Sequence, residues 1–260
     1  MRLGLGPVDL SGATRRKLET LATQAVASSF DAMWIAESRG DGVGGGLAAA
    51  ALLGQVVPIR VGAVVEAGLY HPLFLAEDIA IADLTSEGRL EVVLRLGTSA
   101  SSRYETSLDQ SWLKEHLQVL GAALSGAHIQ WQGEHLRVPG QIDANQPVPS
   151  RLALNPRPLQ PVVPIWIETS ETWLQELAQK LGFGIAQLWK PGGRIPPSTG
   201  RWPGMVLCPA DVAADDLLSA AGDEAGYFLV VAQTAQEVAS TGRRLAGPLR
   251  MPDFPEWINA

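Results

Sequence analysis

Polar residues that could carry out acid–base chemistry follow several short apolar stretches of this sequence. Glu37 comes directly after the apolar residues 30–36, and Glu66 and His71 follow the Val-rich residues 59–65. An imidazole exchanges protons near neutral pH, and a carboxylate accepts protons or hydrogen bonds. We therefore take Glu37 and His71 as candidate catalytic residues and Glu66 as a candidate binding residue.

Each of these residues also has a structural interpretation, which the sequence leaves open. Glu37 can be a solvated carboxylate. His71 precedes Pro72 at a predicted helix start, where a side chain can satisfy free backbone N–H groups. The single cysteine, Cys208, ends a predicted strand. A lone thiol of this kind is usually buried and inert.

The composition describes a chain that can fill a large core. Of 260 residues, 46% are hydrophobic and 18% are charged, which excludes a disordered protein. The formal net charge of −7 disfavours a nucleic-acid partner held by a general basic surface, although a local basic patch remains open.

Metal sites, membrane spans and targeting segments are not indicated. One cysteine and four histidines, never at metal-ligand spacing on one helix face, predict no metal site. The N-terminus has no long apolar run, and later apolar runs fall short of the roughly 20 residues that span a bilayer. We expect a soluble, cytoplasmic protein.

Apolar strands alternate with amphipathic helices along most of the chain. Continuous apolar strands separated by helices indicate a parallel sheet covered on both faces. Four such units within about the first 125 residues predict eight in all, the number that closes a (β/α)8 TIM barrel. The predicted strands are residues 2–6, 30–36, 59–65, 90–96, 162–167, 184–188, 205–207 and 227–231. The predicted helices are residues 14–28, 46–56, 73–84, 110–124, 171–181, 213–221 and 235–245.

Two regions depart from this rhythm. Residues 128–138 alternate in polarity and predict a β-hairpin inserted after the fourth helix. Residues 190–204 contain four prolines and four glycines, which predict an irregular surface loop. We predict a single α/β domain spanning residues 1–260.

Five ordered blocks resemble the luciferase-like flavin-dependent oxidoreductases, which include bacterial luciferase, alkane monooxygenases and deazaflavin (F420) enzymes. The most specific block is HPLFLAEDIAIADLTSEGRLEVVLRLG at residues 71–97. The others are FDAMWIAES, IRVGAVVEAGLYHP, WLKEHLQVLGAALSGAHIQWQGEHLRV and LQPVVPIWIETSETWLQELAQKLGFGI. The resemblance implies a TIM barrel that binds FMN or F420 at its C-terminal mouth and transfers hydride or oxygen with a small organic substrate.

The resemblance also implies cofactor-binding residues. Gly97 and Thr98 follow the fourth strand, where small residues let a flat ring approach the backbone; the alternative is a flexible polar loop. Thr169 and Ser170 stand where the family has glycines, at a helix start that would bind a phosphate. Thr169 or Ser170 can equally be an ordinary N-cap, which is far commoner than a ligand site.

Departures from the family pattern leave the activity open. Glu37 is followed by serine and arginine instead of histidine, and Glu168 and Glu171 bring negative charge to the expected phosphate site. Residues 193–225 look trimmed, which indicates a shortened C-terminal region. These departures predict weak or absent binding of FMN or F420. The competing hypothesis is a degenerate barrel that acts as a flavin-binding or structural partner. A sugar- or phosphate-metabolising barrel is a weaker third.

The resemblance further implies a homodimer. The predicted helices at residues 46–56 and 73–84 are apolar on more than one face, and the family commonly dimerises through this region. An apolar helix face that does not reach the core needs another cover. We expect a second copy of the chain to provide it.

Overall fold

The computed structural model describes residues 1–10, 13–36, 45–96, 109–139, 152–199, 201–222 and 226–249. Within these residues, eight parallel strands close into a barrel in the order β1-β10-β9-β8-β7-β4-β3-β2, and β5 and β6 form a separate antiparallel hairpin. The strands are β1 (Arg2–Asp9), β2 (Ala32–Ala36), β3 (Arg60–Glu66), β4 (Leu90–Arg95), β5 (Trp131–Gln132), β6 (Arg137–Val138), β7 (Ile165–Glu168), β8 (Gly184–Leu188), β9 (Gly204–Cys208) and β10 (Gly226–Val230).

Helices cover the outside of the barrel. Among the described residues they are α1 (Arg15–Ala27), α2 (Gly46–Gly54), α3 (Pro72–Thr85), α4 (Gln110–Leu124), α5 (Thr172–Leu181), α6 (Ala214–Ala221) and α7 (Ala235–Leu245). A 3-10 turn, Ala67–Leu69, leads into α3. The predicted TIM barrel is confirmed, and so is the hairpin after the fourth helix.

The fourth strand shows why the sequence predicted the barrel well. Val92, Val93 and Leu94 are fully buried, as expected for a strand with helices outside and side chains inside. Just before this strand, Gly88 has a φ of 75°, a conformation that glycine adopts at little cost. Arg89 donates to the backbone carbonyls of Val57 and Gly54, which ties β4 to the end of α2.

The link between β8 and β9 differs from the prediction. Residues 189–199 and 201–203 contain no helix, so the irregular loop is confirmed. It is not simply a surface loop, because Ile195, Pro196 and Thr199 are buried. The Thr199 hydroxyl donates to the Phe183 carbonyl at 2.6 Å, and Trp202 packs against the barrel interior. The loop thus seals the side of the barrel where the strands begin.

The N-terminal end of the barrel is closed by a buried charged cluster, which we call the floor: Arg2, Arg60, Glu91 and Tyr227. The Glu91 carboxylate accepts hydrogen bonds from Arg2 at 2.7 Å, Arg60 at 2.6 Å and the Tyr227 hydroxyl at 2.7 Å. Burial by itself raises the pKa of Glu91, but the two guanidiniums outweigh it and hold that pKa below its ordinary value. Glu91 is therefore a buried carboxylate whose charge is stabilised by two guanidiniums and a hydroxyl.

Candidate active site at the barrel mouth

The C-terminal ends of the barrel strands form the mouth, where TIM-barrel enzymes hold their active sites. Three charged residues end neighbouring strands there: Glu66 is paired in register with Arg95, and Arg95 with Glu168. The Arg95 Nε and the Glu168 Oε2 are 2.7 Å apart, with side chains 12% and 15% exposed. The mouth therefore carries an ion pair that is mostly shielded from water.

Small side chains lie between this ion pair and the aromatic rings deeper in the barrel. Ala36 follows Trp34 on β2 by two residues, and Ala186 follows Gly184 on β8 by two residues, so both point inward. Val64 on β3 belongs to the same interior cluster. Ala36, Val64 and Ala186 are thus short side chains of an interior cluster that also contains the longer Leu207.

The start of α5 has a different N-cap from the predicted one, and a phosphate-binding role for Thr169 and Ser170 stays a prediction. The N-cap is Glu171, not Thr169 or Ser170. Thr169 instead accepts a hydrogen bond from the Glu171 backbone N–H at 3.0 Å, and the Glu171 carboxylate accepts one from the Trp173 indole. The first N–H group is thus satisfied within the chain, and Ser170 is an exposed side chain beside it.

Glu168 also has a different role from the one expected. We predicted that its charge would oppose a bound phosphate, but Arg95 balances that charge at 2.7 Å. The charge of Glu168 therefore opposes a phosphate at α5 less than expected. Glu171 remains as a negative charge at the helix start.

His71 occupies the entry to α3. It is the N-cap of that helix, and its Nδ1 accepts the Leu73 N–H at 3.3 Å. Burial lowers the pKa of His71, which favours the neutral ring. The geometry supports the helix-entry interpretation, and with Nδ1 accepting, the remaining Nε2 carries the proton. A catalytic role for His71 stays a prediction.

A second imidazole lies nearby and was not singled out from the sequence. His116, on α4, is fully buried and stacks near Trp112 with ring centroids 4.7 Å apart. Neither of its ring nitrogens has a hydrogen-bond partner in the described part of the chain. Burial, with a smaller contribution from the nearby His71, lowers the pKa of His116 to about 4. A buried imidazole in this state is neutral at pH 7.

Three of the predicted site residues lie outside the described residues: Glu37, Gly97 and Thr98. Their roles stay predictions. Of the others, Glu66 lies at the mouth beside Arg95, whereas Thr169 and Ser170 lie at the start of α5 and His71 at the start of α3.

Arg95 and Glu91 were missed as important residues, although the sequence carried a signal for both. They interrupt an otherwise apolar strand at an even spacing, which places both on the inner face. A charge on the inner face of a buried strand needs a partner. Which partner each would find could not be read from the strand itself.

Comparison with known proteins agrees with the barrel fold. A family model described as luciferase-like monooxygenase matches residues 4–192. The chain belongs to the luciferase-like monooxygenase family. No curated protein matches the chain significantly.

Solved structures similar to this family member include enzymes with different cofactors. The monooxygenase RslO1 from Streptomyces bottropensis has a TM-score of 0.68 at 16% identity, with 96% of this chain and 99% of that chain covered. The coenzyme F420-dependent tetrahydromethanopterin reductase from Methanopyrus kandleri has a TM-score of 0.67 at 11% identity, with coverage of 96% and 99%.

A third structure contains FMN. It is the oxygenating constituent of 3,6-diketocamphane monooxygenase from Pseudomonas putida, with a TM-score of 0.54 at 18% identity and coverage of 73% of this chain and 57% of that chain. At such identities these likenesses establish the luciferase-like fold and leave the cofactor of this family member open. Among its described helices, none is long and apolar enough to cross a membrane.

Proposed function

We propose that this protein is a luciferase-like oxidoreductase that binds a flavin-type cofactor, FMN or F420, at the mouth and acts on a small organic substrate. The observation that carries the proposal is the Arg95–Glu168 ion pair above short inward side chains, in a member of this family. A bound cofactor of this type would supply hydride transfer or oxygen activation.

The mouth fits the ring system of such a cofactor better than its phosphate. Ala36, Val64 and Ala186 leave room for a flat ring, and Arg95 offers a guanidinium to ring carbonyls. At α5, by contrast, Thr169 already satisfies the Glu171 N–H. We therefore expect binding that depends on the ring, at micromolar strength or weaker, and a protein that purifies without flavin.

The chain's own residues then have distinct tasks. Arg95 orients the ring and is itself held by Glu168, while Glu66 on the next strand adds a hydrogen-bond acceptor. His71 presents an imidazole near the mouth end of α3, where it can hold or pass a proton of a substrate. The apolar side chains of the barrel exclude water beneath the ring.

Titration of the purified protein with FMN and with F420, followed by fluorescence quenching, tests the proposal. We expect saturable binding of one of them, weakened about tenfold by Arg95→Gln, since a hydrogen bond to a charged group contributes about 1.5–3 kcal/mol. Arg243→Gln is the matched control, because Arg243 is exposed in the last turn of α7. No binding of either compound by the folded protein would favour the degenerate barrel instead.

We further propose that the functional unit is a homodimer. Leu52 on α2 and Phe74 and Ile81 on α3 are 61%, 65% and 50% exposed, and the two helices contact each other. The double variant Leu52→Asp/Phe74→Asp should be monomeric by light scattering, whereas Leu159→Asp, at a position 58% exposed elsewhere, should not change the mass. A monomeric wild-type protein at micromolar concentration contradicts this proposal.

A further inference from the structure

Four aromatic rings make a continuous path from the barrel axis to the protein surface. Trp34, Trp166 and Tyr227 contact one another inside the barrel, with ring centroids 5.7–6.1 Å apart. Trp202 contacts Trp166 at 5.9 Å. The first three rings are fully buried, whereas Trp202 is partly exposed.

This path ends at the floor and not at the mouth. Trp202 lies two residues before β9 begins, and the Trp166 indole donates to the neighbouring Pro203 carbonyl at 2.9 Å. The loop that replaces a helix between β8 and β9 therefore holds one ring of the path at the N-terminal surface.

The rings differ in the hydrogen-bond acceptor that each O–H or N–H group has. That acceptor decides where the proton can go when the ring loses an electron. The Tyr227 hydroxyl donates to the Glu91 carboxylate at 2.7 Å and accepts from the Trp34 indole at 2.9 Å. Trp166 donates only to a neutral carbonyl, and the Trp202 indole N–H is buried with no acceptor in the described part of the chain. Tyr227 is thus the ring of this path whose proton has an ionised acceptor.

A cation near Tyr227 strengthens this distinction. The Arg2 guanidinium carbon lies 4.3 Å from the centroid of the Tyr227 ring. A positive charge at that distance opposes a cation radical on the ring, so the ring can lose an electron only together with its proton. The Glu91 carboxylate is placed to take that proton.

We propose that Trp202, Trp166 and Tyr227 form a one-electron conduit, in which Tyr227 is the final donor and its phenolic proton passes to Glu91. A one-electron oxidant of the radical class, such as azidyl, takes an electron from Trp202 and becomes its anion, and the Trp202 indole keeps its proton. An electron then moves from Tyr227 through Trp166 to Trp202. The products are a neutral Trp202, a neutral Tyr227 phenoxyl radical and a protonated Glu91, so charge and protons balance.

The conduit gives the protein a place to store an oxidising equivalent away from the mouth. Trp34, which contacts both Trp166 and Tyr227, extends it toward the small side chains below the mouth. The inference uses only the rings and their hydrogen bonds, so it does not depend on cofactor binding.

Pulse radiolysis with azidyl radical, which oxidises tryptophan selectively, tests the conduit in the protein without added cofactor. The chain has three tyrosines, and Tyr70→Phe/Tyr104→Phe leaves Tyr227 as the only one. In that background we expect the indolyl signal to convert to a tyrosyl signal at a rate independent of protein concentration. The rate should fall in D2O, because the proton moves with the electron.

Three variants in the same background locate the route. Tyr227→Phe should abolish the tyrosyl signal, and Trp166→Phe should slow the conversion by an order of magnitude while leaving both ends in place. Trp202→Phe should remove the fast phase, whereas Trp173→Phe, at a partly exposed tryptophan on α5, should not. Circular dichroism confirms folding of each variant.

Other outcomes overturn the conduit. A conversion rate that rises with protein concentration indicates transfer between molecules. A conversion that Trp166→Phe leaves unchanged places the route elsewhere, and one that Trp202→Phe leaves unchanged places the entry elsewhere. A failure of FMN and F420 to bind leaves these results unaffected.

Discussion

The floor and the mouth of this barrel use charge in different ways. At the floor, one carboxylate with no exposure receives two arginines and a tyrosine hydroxyl. At the mouth, Glu168 receives one arginine, and both side chains keep some contact with solvent. The floor residues are bound to one another, whereas the mouth keeps polar groups close to where a ligand would enter.

This difference follows from where a TIM barrel can tolerate change. Residues at the N-terminal ends of the strands mainly stabilise the barrel, and those at the C-terminal ends are free to serve chemistry. At this end the loop between β8 and β9 also packs Trp202 against the barrel interior. The mouth is instead lined by small side chains such as Ala36 and Ala186.

The largest expected effect is the loss of the floor carboxylate. Glu91→Gln leaves the Arg2 and Arg60 guanidiniums without their shared counter-ion, and should lower the free energy of unfolding by about 3–5 kcal/mol. Glu168→Gln removes one partner of a partly solvated pair, and should cost about 1–2 kcal/mol. Urea unfolding followed by circular dichroism measures both.

The comparison between the two ends breaks if the order is reversed. Equal losses for Glu91→Gln and Glu168→Gln mean that the mouth pair also holds the barrel together. Arg243→Gln, at an exposed position, is the control and should change stability by less than about 0.5 kcal/mol.

The next effect concerns pH. As the pH falls, protonation of His116 and of Asp31 changes the free energy of unfolding in opposite directions. His116, which packs near the mouth end of α3, has a folded pKa of about 4 against 6.5 when unfolded. Its contribution is present above pH 6.5 and is lost as the pH falls through 4, by at most about 3 kcal/mol. Burial raises the pKa of Asp31, which lies beside the floor just before β2, from 3.8 to about 6. Its contribution is present below pH 3.8 and is lost as the pH rises through 6.

Variants separate the two contributions. His116→Leu should flatten the loss of stability between pH 6.5 and 4 without lowering stability at pH 7, since the buried ring nitrogens have no partner in the described residues. Asp31→Asn should make the same acid loss steeper. His128→Gln changes an exposed histidine and serves as control. Unfolding curves at several pH values decide, and an unchanged slope in His116→Leu contradicts the assignment.

The smallest effect is on cofactor affinity at the mouth. Glu168→Gly/Thr169→Gly leaves Arg95 without its carboxylate and frees the Glu171 N–H for a phosphate. We expect FMN to bind more tightly by about 1 kcal/mol, close to fivefold. The freed N–H at the helix start and the unpaired Arg95 guanidinium would both attract its phosphate. Riboflavin, which has no phosphate, is the control ligand and should gain less than FMN, because only a phosphate uses the freed Glu171 N–H. A variant that binds FMN no better shows that the phosphate is held elsewhere.

Much of the fold could be predicted because its signals are local. The apolar continuity of residues 90–96, the helical spacing of residues 110–124 and the prolines of residues 190–204 each act within a few residues. Alternation of such segments is enough to indicate a parallel barrel. Gly88 was likewise predictable as structural, since its turn is formed by adjacent residues.

The contacts of the mouth, the floor and the barrel interior were less predictable because they join distant parts of the chain. Trp34 and Tyr227 are 193 residues apart, Tyr227 and Glu91 are 136 apart, and Arg95 and Glu168 are 73 apart. The α5 N-cap was missed by one or two residues for a local reason. Several neighbouring residue types can cap a helix, and the backbone conformation decides among them.

The sequence by itself determined which segments are strands and helices and which family the chain resembles. Only the tertiary structure decided that Glu91 closes the floor with Arg2, Arg60 and Tyr227, and that Arg95 pairs with Glu168 at the mouth. Periodicity reports which face a side chain takes. Barrel closure and strand register set which side chains from other strands share that face, and they depend on the whole chain at once.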